Sequence, residues 1–236
     1  MAAITMVICG ACTLAGFLYF RCKERFVPSI LLKISTSVFF LFTALAATLA
    51  LPAGELHRML PLCAAILAGQ ILGMCGDFWL DMKLMYPQHK EPYVFAGFAS
   101  FMMGHLFFIA GLIAVYGIDL QKLLICLGAG IALLAAVLLM EKPMKLKYGK
   151  FKGVAAGLCV IFGVVIALAF QSAFSNGAAV NMQALIMAIG LLLFLASDLV
   201  LSGTYFGKGK DRPVDYTLNY LFYYGAQFTI ALSLLA

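Results

Sequence analysis

Asp77, Asp198 and His105 stand inside long apolar stretches of the chain. An ionisable side chain at mid-membrane costs about 2.5–3.5 kcal/mol on insertion scales, so such residues are functional candidates by default. Two carboxyl groups supply what acid/base hydrolysis needs: one gives a proton and the other activates water, as in glycoside cleavage. A histidine beside them orients water or relays a proton. Scarce water and a second carboxyl nearby are the conditions under which one carboxyl keeps its proton near neutral pH. Lys33, Asp81, Tyr223, Tyr224 and Gln227 are further polar residues in or beside apolar runs. Each has a plainer reading. Asp81 lies beside Lys83 and suits an interface, Lys33 is near enough to a surface to snorkel, and the two tyrosines suit an aromatic belt.

Depth gathers these residues. At about 1.5 Å per residue, Asp77, Asp198 and Lys33 lie roughly 5–8 Å in from one membrane surface, Tyr224 and Gln227 about 10–15 Å in from the same side, and His105 near the midplane. No comparable polar residue is read in the opposite half, which predicts a polar cavity open to one leaflet. The chain also resembles itself. Gly76-Asp77-Phe78-Trp79-Leu80 parallels Ser197-Asp198-Leu199-Val200-Leu201, and Gly104-His105-Leu106 parallels Ala226-Gln227-Phe228 at nearly the same distance from each Asp. Two parallel four-helix repeats would bring one Asp from each half to a shared centre. Phe98, Phe101, His105 and Phe108 fall on one helical face, suited either to core packing or to an acyl-chain slot that Phe101 and Phe108 would line. Gly97, Gly104 and Gly111 form a neighbouring stripe suited to close helix contact.

The elements that must position these residues follow from composition. The 236 residues are 64% hydrophobic and 11% charged, with a mean hydropathy of +1.05. Ordinary soluble domains are about 45–50% apolar and about 25% charged, which excludes a water-soluble globule. Disorder needs the opposite composition. Apolar runs long enough to cross a bilayer lie at about 2–20, 28–51, 59–80, 93–116, 120–140, 153–172, 180–202 and 217–236. They lack the alternation of membrane β-strands, so the expected fold is an all-α bundle of eight transmembrane helices forming a single domain over residues 1–236. Thirteen of the 16 Lys and Arg residues fall in the connections after spans one, three, five and seven. By the positive-inside rule those loops face the cytoplasm and both termini face away from it. The net charge of +6 then reflects topology and contact with anionic membrane lipids. Spread over four short loops, it does not indicate nucleic acid. Arg21, Lys23 and Arg25 follow the first apolar run instead of preceding it, so that run reads as an uncleaved helix, not a signal peptide. The short loops fit a bacterial inner membrane.

Gly-Asp at 76–77, Phe-x-x-Gly-His at Phe101–His105, Ser-Asp at 197–198 and Tyr-Tyr-x-x-Gln at Tyr223–Gln227 resemble the YhhN, or lysoplasmalogenase, family, over nearly the whole chain from span two onward. One departure is Ile34 after Lys33, where the family often has Lys-Pro. The resemblance implies an eight-span enzyme that hydrolyses the vinyl ether bond of lysoplasmalogens to a fatty aldehyde and a glycerophospho-ethanolamine or -choline. That chemistry protonates the outer alkene carbon, adds water to the oxocarbenium-like cation and collapses the hemiacetal. Asp77 and Asp198 are then the expected acid/base pair and His105 the relay. Tyr223, Tyr224, Gln227 and Asp81 would meet water or substrate, and Lys33 its phosphate, with no cofactor and no metal.

Zinc hydrolases gather three or four ligands on one ion, whereas this chain has three histidines, two of them, His57 and His89, in loops on opposite sides. Cys9 and Cys12 have metal or redox spacing but lack a second pair and read as packing residues. A different class of function fits the same cavity, that of a small-solute or lipid transporter. Against it, all seven prolines are read at span ends or in loops, whereas transporter helices often break at mid-membrane.

Overall fold

A computed structural model of the chain describes residues 1–175, 179–207 and 212–236. Lys208 and Lys210, two of the basic loop residues, lie outside the described residues. Among the described residues there are eight long helices: α1 (Ala2–Cys22), α2 (Phe26–Leu49), α3 (Ala53–Met85), α4 (Lys90–Tyr116), α5 (Leu120–Glu141), α6 (Lys152–Phe174), α7 (Met182–Phe206) and α8 (Pro213–Leu232). Seven are long and apolar enough by themselves to cross a membrane, and α8 falls short. The reason lies in its inward face, where Asn219, Tyr223, Tyr224 and Gln227 are all buried. Its apolarity is spent outward, on Val214, Leu218 and Leu221.

Helix α3 is the largest departure from the expected boundaries. Its 33 residues overrun the apolar stretch at both ends, because a helix need not stop where the hydrocarbon stops. Pro61 consequently lies inside α3, not at a span end. It stands two turns into that helix, past the first turn, so its missing N–H removes one backbone hydrogen bond there.

Six helices close a ring: α2 packs on α3, α3 on α4, α4 on α6, α6 on α7, α7 on α8, and α8 back on α2. Helix α1 lies outside against α2, and α5 lies outside against α6. Advancing every label by four maps these neighbours onto one another, so the halves α1–α4 and α5–α8 are related as parallel repeats. The outer pair bury least, with three buried residues on α1 and two on α5.

Tight α3–α4 packing depends on small residues. A Cβ added at Gly104 would stand 2.8 Å from the Gly69 carbonyl oxygen, and Gly111 and Gly97 have similarly close neighbours on α3. Backbone cannot yield as a flexible side chain can. Gly104→Val is therefore expected to cost about 1–3 kcal/mol through overpacking, read as a lower melting temperature in detergent. An unchanged melting temperature would show that the helices can part without loss.

Candidate active site

Lys33, about a third of the way along α2 on its inner face, is only 2% exposed. Its Nζ lies 3.2 Å from Asp77 Oδ1 and 3.1 Å from Asp81 Oδ2. Asp77 and Asp81 are four residues apart on α3, so the helix period itself puts both carboxylates on one face. The ammonium also donates to the Asp77 carbonyl oxygen at 3.4 Å and sits 5.1 Å from the centroid of the Tyr220 ring, a cation–π distance. The surface readings of these residues are corrected accordingly. Lys33 does not snorkel, because two carboxylates hold it inside, and Asp81 is a buried member of the cluster. A buried charge persists when it is paired and hydrogen-bonded.

The cluster is anchored to α8. Ser37 Oγ donates to Asp77 Oδ2 at 3.4 Å and lies 3.3 Å from the Tyr224 hydroxyl. Tyr224 in turn donates to the Lys33 carbonyl oxygen at 3.1 Å. With 0% exposure, Tyr224 belongs to no interfacial belt; it ties α8 to α2. Tyr223, one residue back, faces Asp77 and is also buried.

A cavity of about 270 Å³ opens over this cluster. Lys33, Asp77 and Asp81 form one wall, while Ser197, Asp198 and Leu201 of α7 form another. Phe101 and Tyr223 lie on the inner part of the lining, with Arg21, Lys83 and Lys90 toward the loop end. The cavity thus lies at the end of the bundle that carries the basic connections. Asp198 is half-buried, and no hydrogen bond or ion pair joins it to a side chain among the described residues. The neighbouring group on α6 is the Cys159 thiol. Here the two repeats differ. Both contribute an aspartate to the same hollow, but the α2 lysine that neutralises Asp77 has no cationic counterpart on α6 beside Asp198. Next to Asp198, Asn219 Nδ2 donates to the Ser197 carbonyl and hydroxyl oxygens, both at 2.9 Å, which fixes α8 against α7.

A second, apolar crevice of about 40 Å³ runs between α4, α5, α6 and α7. Phe98, Val137, Leu158, Phe162 and Leu195 line it, and it shares Asp198 and Leu201 with the polar cavity. Asp198 therefore stands on the boundary between a polar hollow and an apolar one.

Of the residues picked out from the sequence, Lys33, Asp77, Asp81, Asp198, Phe101 and Tyr223 line one cavity. His105, Phe108, Tyr224 and Gln227 do not line it. His105 lies beneath Phe101, its Nδ1 2.7 Å from the Phe101 carbonyl oxygen, and is boxed in by the rings of Phe108, Phe162 and Phe194. Its Nε2 has no hydrogen-bond partner among the described residues. Phe108 packs in the core against Gly69. Gln227 supports the site from below, its Nε2 donating to the Tyr223 hydroxyl at 3.3 Å.

Three contributors went unread in the sequence: Gln70, Ser37 and Asn219. Gln70 donates to the Gln227 carbonyl at 2.8 Å and is fully buried. Lying in the middle of an apolar run, it carried the same signal that marked His105. Buried Gln183 on α7, near the opposite end of the bundle, likewise shows that polar side chains are not confined to one half. Ser37 is small and common in membrane helices, so its type alone carries little information. Asn219 sits within a turn of the start of the last apolar run, where a polar residue is unremarkable.

The sequence profile of the YhhN family matches residues 29–234 of the chain. No curated protein and no solved structure matches it.

Proposed function

This chain belongs to the YhhN family, and from that premise we propose that it is a membrane-embedded hydrolase acting on the vinyl ether bond of lysoplasmalogens. The observation that carries the reading is Asp198, an unpaired carboxyl shared by a polar cavity and an apolar crevice. A lysolipid has the same layout, with a polar head, a single ether link and one chain. If the head occupies the cavity and the first carbons of the chain enter the crevice, the alkenyl carbons lie at Asp198.

The roles follow from the chemistry. The proton must go to the outer alkene carbon, on the chain side of the ether oxygen, so the acid belongs at the boundary with the crevice. Asp198 is that group. Protonation gives an oxocarbenium-like cation, which a carboxylate nearby stabilises. Water then adds to the carbon bearing the oxygen, and Asp77 takes its proton while Lys33 and Ser37 hold the carboxylate in place. The hemiacetal then collapses to a fatty aldehyde and a glycerophospho-alcohol: Asp77 passes the proton it took to the departing glycerol oxygen, Asp198 takes the hemiacetal hydroxyl proton, and both carboxyls regain their starting states with one water consumed. Tyr223, held by Gln227, borders the water's position. His105 acts, on this reading, by fixing Phe101 and the cavity floor. The same floor of Phe101 and Tyr223, backed by Gln70, Gln227 and His105, favours a reaction chamber over a transport path.

The test is turnover by purified protein in detergent on paired 1-alkenyl and 1-acyl lysophospholipids. Aldehyde is expected from the vinyl ether and no fatty acid from the ester. No aldehyde, or comparable cleavage of the ester, would overturn the proposal.

A further inference from the structure

Lys33 was the sequence's candidate for the lipid phosphate, yet its ammonium is already held between two carboxylates. Three other cations line the same cavity: Arg21 at the end of α1, Lys83 on the last turn of α3 and Lys90 at the start of α4. None of the three forms an ion pair among the described residues. Elsewhere at this end of the bundle cations do find acids, as in Lys150–Glu91, Lys152–Glu141 and Arg212–Asp215. Two of the rim cations are instead steered by aromatic rings. Lys83 Nζ lies 3.2 Å from the Tyr205 ring centroid, and the Arg21 guanidinium 5.3 Å from that of Tyr216. Such contacts hold a cation in place while leaving its hydrogen-bond donors free.

We infer that Arg21, Lys83 and Lys90 form a phosphate-binding rim, which takes the phosphodiester of a lysophospholipid head group at the cavity mouth. Charge is segregated along the cavity, with carboxylates inside and unpaired cations at the rim. A head group whose phosphate stops at the rim would meet the cations and leave the inner carboxylates to the ether. The spacing agrees. Lys83 lies six residues beyond Asp77 on α3, about 9 Å along the axis, and an extended glycerol carries phosphorus roughly 6–7 Å from the ether oxygen. The remaining distance is within reach of flexible ammonium side chains. A guanidinium and two ammoniums converging on one anion are also the donors suited to a multi-oxygen phosphate.

The inference takes the substrate's layout from the hydrolase reading, and its test is independent of turnover. Full-length protein in detergent is titrated with a saturated 1-O-alkyl glycerophosphoethanolamine, which has no vinyl ether to cleave, and with the matching phosphate-free 1-O-alkylglycerol. Arg21→Gln, Lys83→Met and Lys90→Met are each expected to weaken the phosphate-bearing ligand roughly tenfold, as for loss of a charge-assisted hydrogen bond. Binding of the alkylglycerol should stay unchanged, and Lys83→Arg should retain most of the affinity. Equal weakening of both ligands, or of neither, would overturn the rim. Inorganic phosphate provides the third arm. Weak, rim-dependent competition supports a lipid-borne phosphate, whereas competition as tight as the lysolipid's would overturn the lipid as ligand and assign the rim to the free anion. Rim-dependent binding without aldehyde release would sink the hydrolase reading alone.

Discussion

Asp198→Asn is expected to abolish aldehyde release while leaving the bundle folded. The amide keeps the shape and polarity of the side chain but cannot deliver a proton to carbon. General acid catalysis by a positioned group typically contributes about 10²–10⁴-fold, so the residual rate should lie at or below a hundredth of the parent's. Stability should hold or rise, because no ion pair is broken: Asp198 has no cationic partner among the described residues. The contrast with Asp77→Asn is informative. That change leaves the alkenyl carbons facing an intact acid but removes one of the two carboxylates on Lys33, so it should lower both activity and melting temperature. Near-normal aldehyde release by folded Asp198→Asn protein would refute the assignment of the acid.

The second large effect is on the fold. Lys33→Met should destabilise the protein by about 3–5 kcal/mol, the usual consequence of removing one partner from a buried ion pair. Two carboxylates would then face each other with side chains only 9% and 7% exposed. The expected result is a sharply lower melting temperature in detergent, or failure to recover folded protein. A compensating variant separates charge from packing. Adding Asp77→Asn and Asp81→Asn to Lys33→Met removes every formal charge from the cluster and should restore most of the stability, though not the activity. If Lys33→Met melts like the parent, the cluster is not what holds α2 to α3 at this level.

The two effects have different origins in the same pseudo-symmetry. Parallel repeats bring equivalent aspartates to one cavity, which by itself would give two similar carboxyls. The lysine on α2, without a cationic counterpart on α6, makes them unlike: one is locked in a salt bridge and one has no opposing charge. A pair of titratable groups in unlike environments is the arrangement from which acid and base roles are drawn.

Much of this was legible from residue types alone. Eight apolar runs are read, and among the described residues each holds a long helix, seven of them apolar enough to span by themselves, because in a bilayer a helix satisfies its own backbone. Asp77, Asp198 and Lys33 could be picked out because a charge is costly there wherever its partner lies, and the matched Asp motifs revealed the repeat because it is written in the order of residues. Tertiary structure decided everything that depends on which side chains meet. That Lys33 bridges Asp77 and Asp81, that His105 and Phe108 lie beneath the cavity, and that Asp198 faces both a polar and an apolar hollow are consequences of how six helices close a ring. Helical periodicity says which residues share a face of one helix. The partner that face meets, and hence whether a charge is neutralised or left open, is set by contacts between residues far apart in the chain, and no local pattern encodes them.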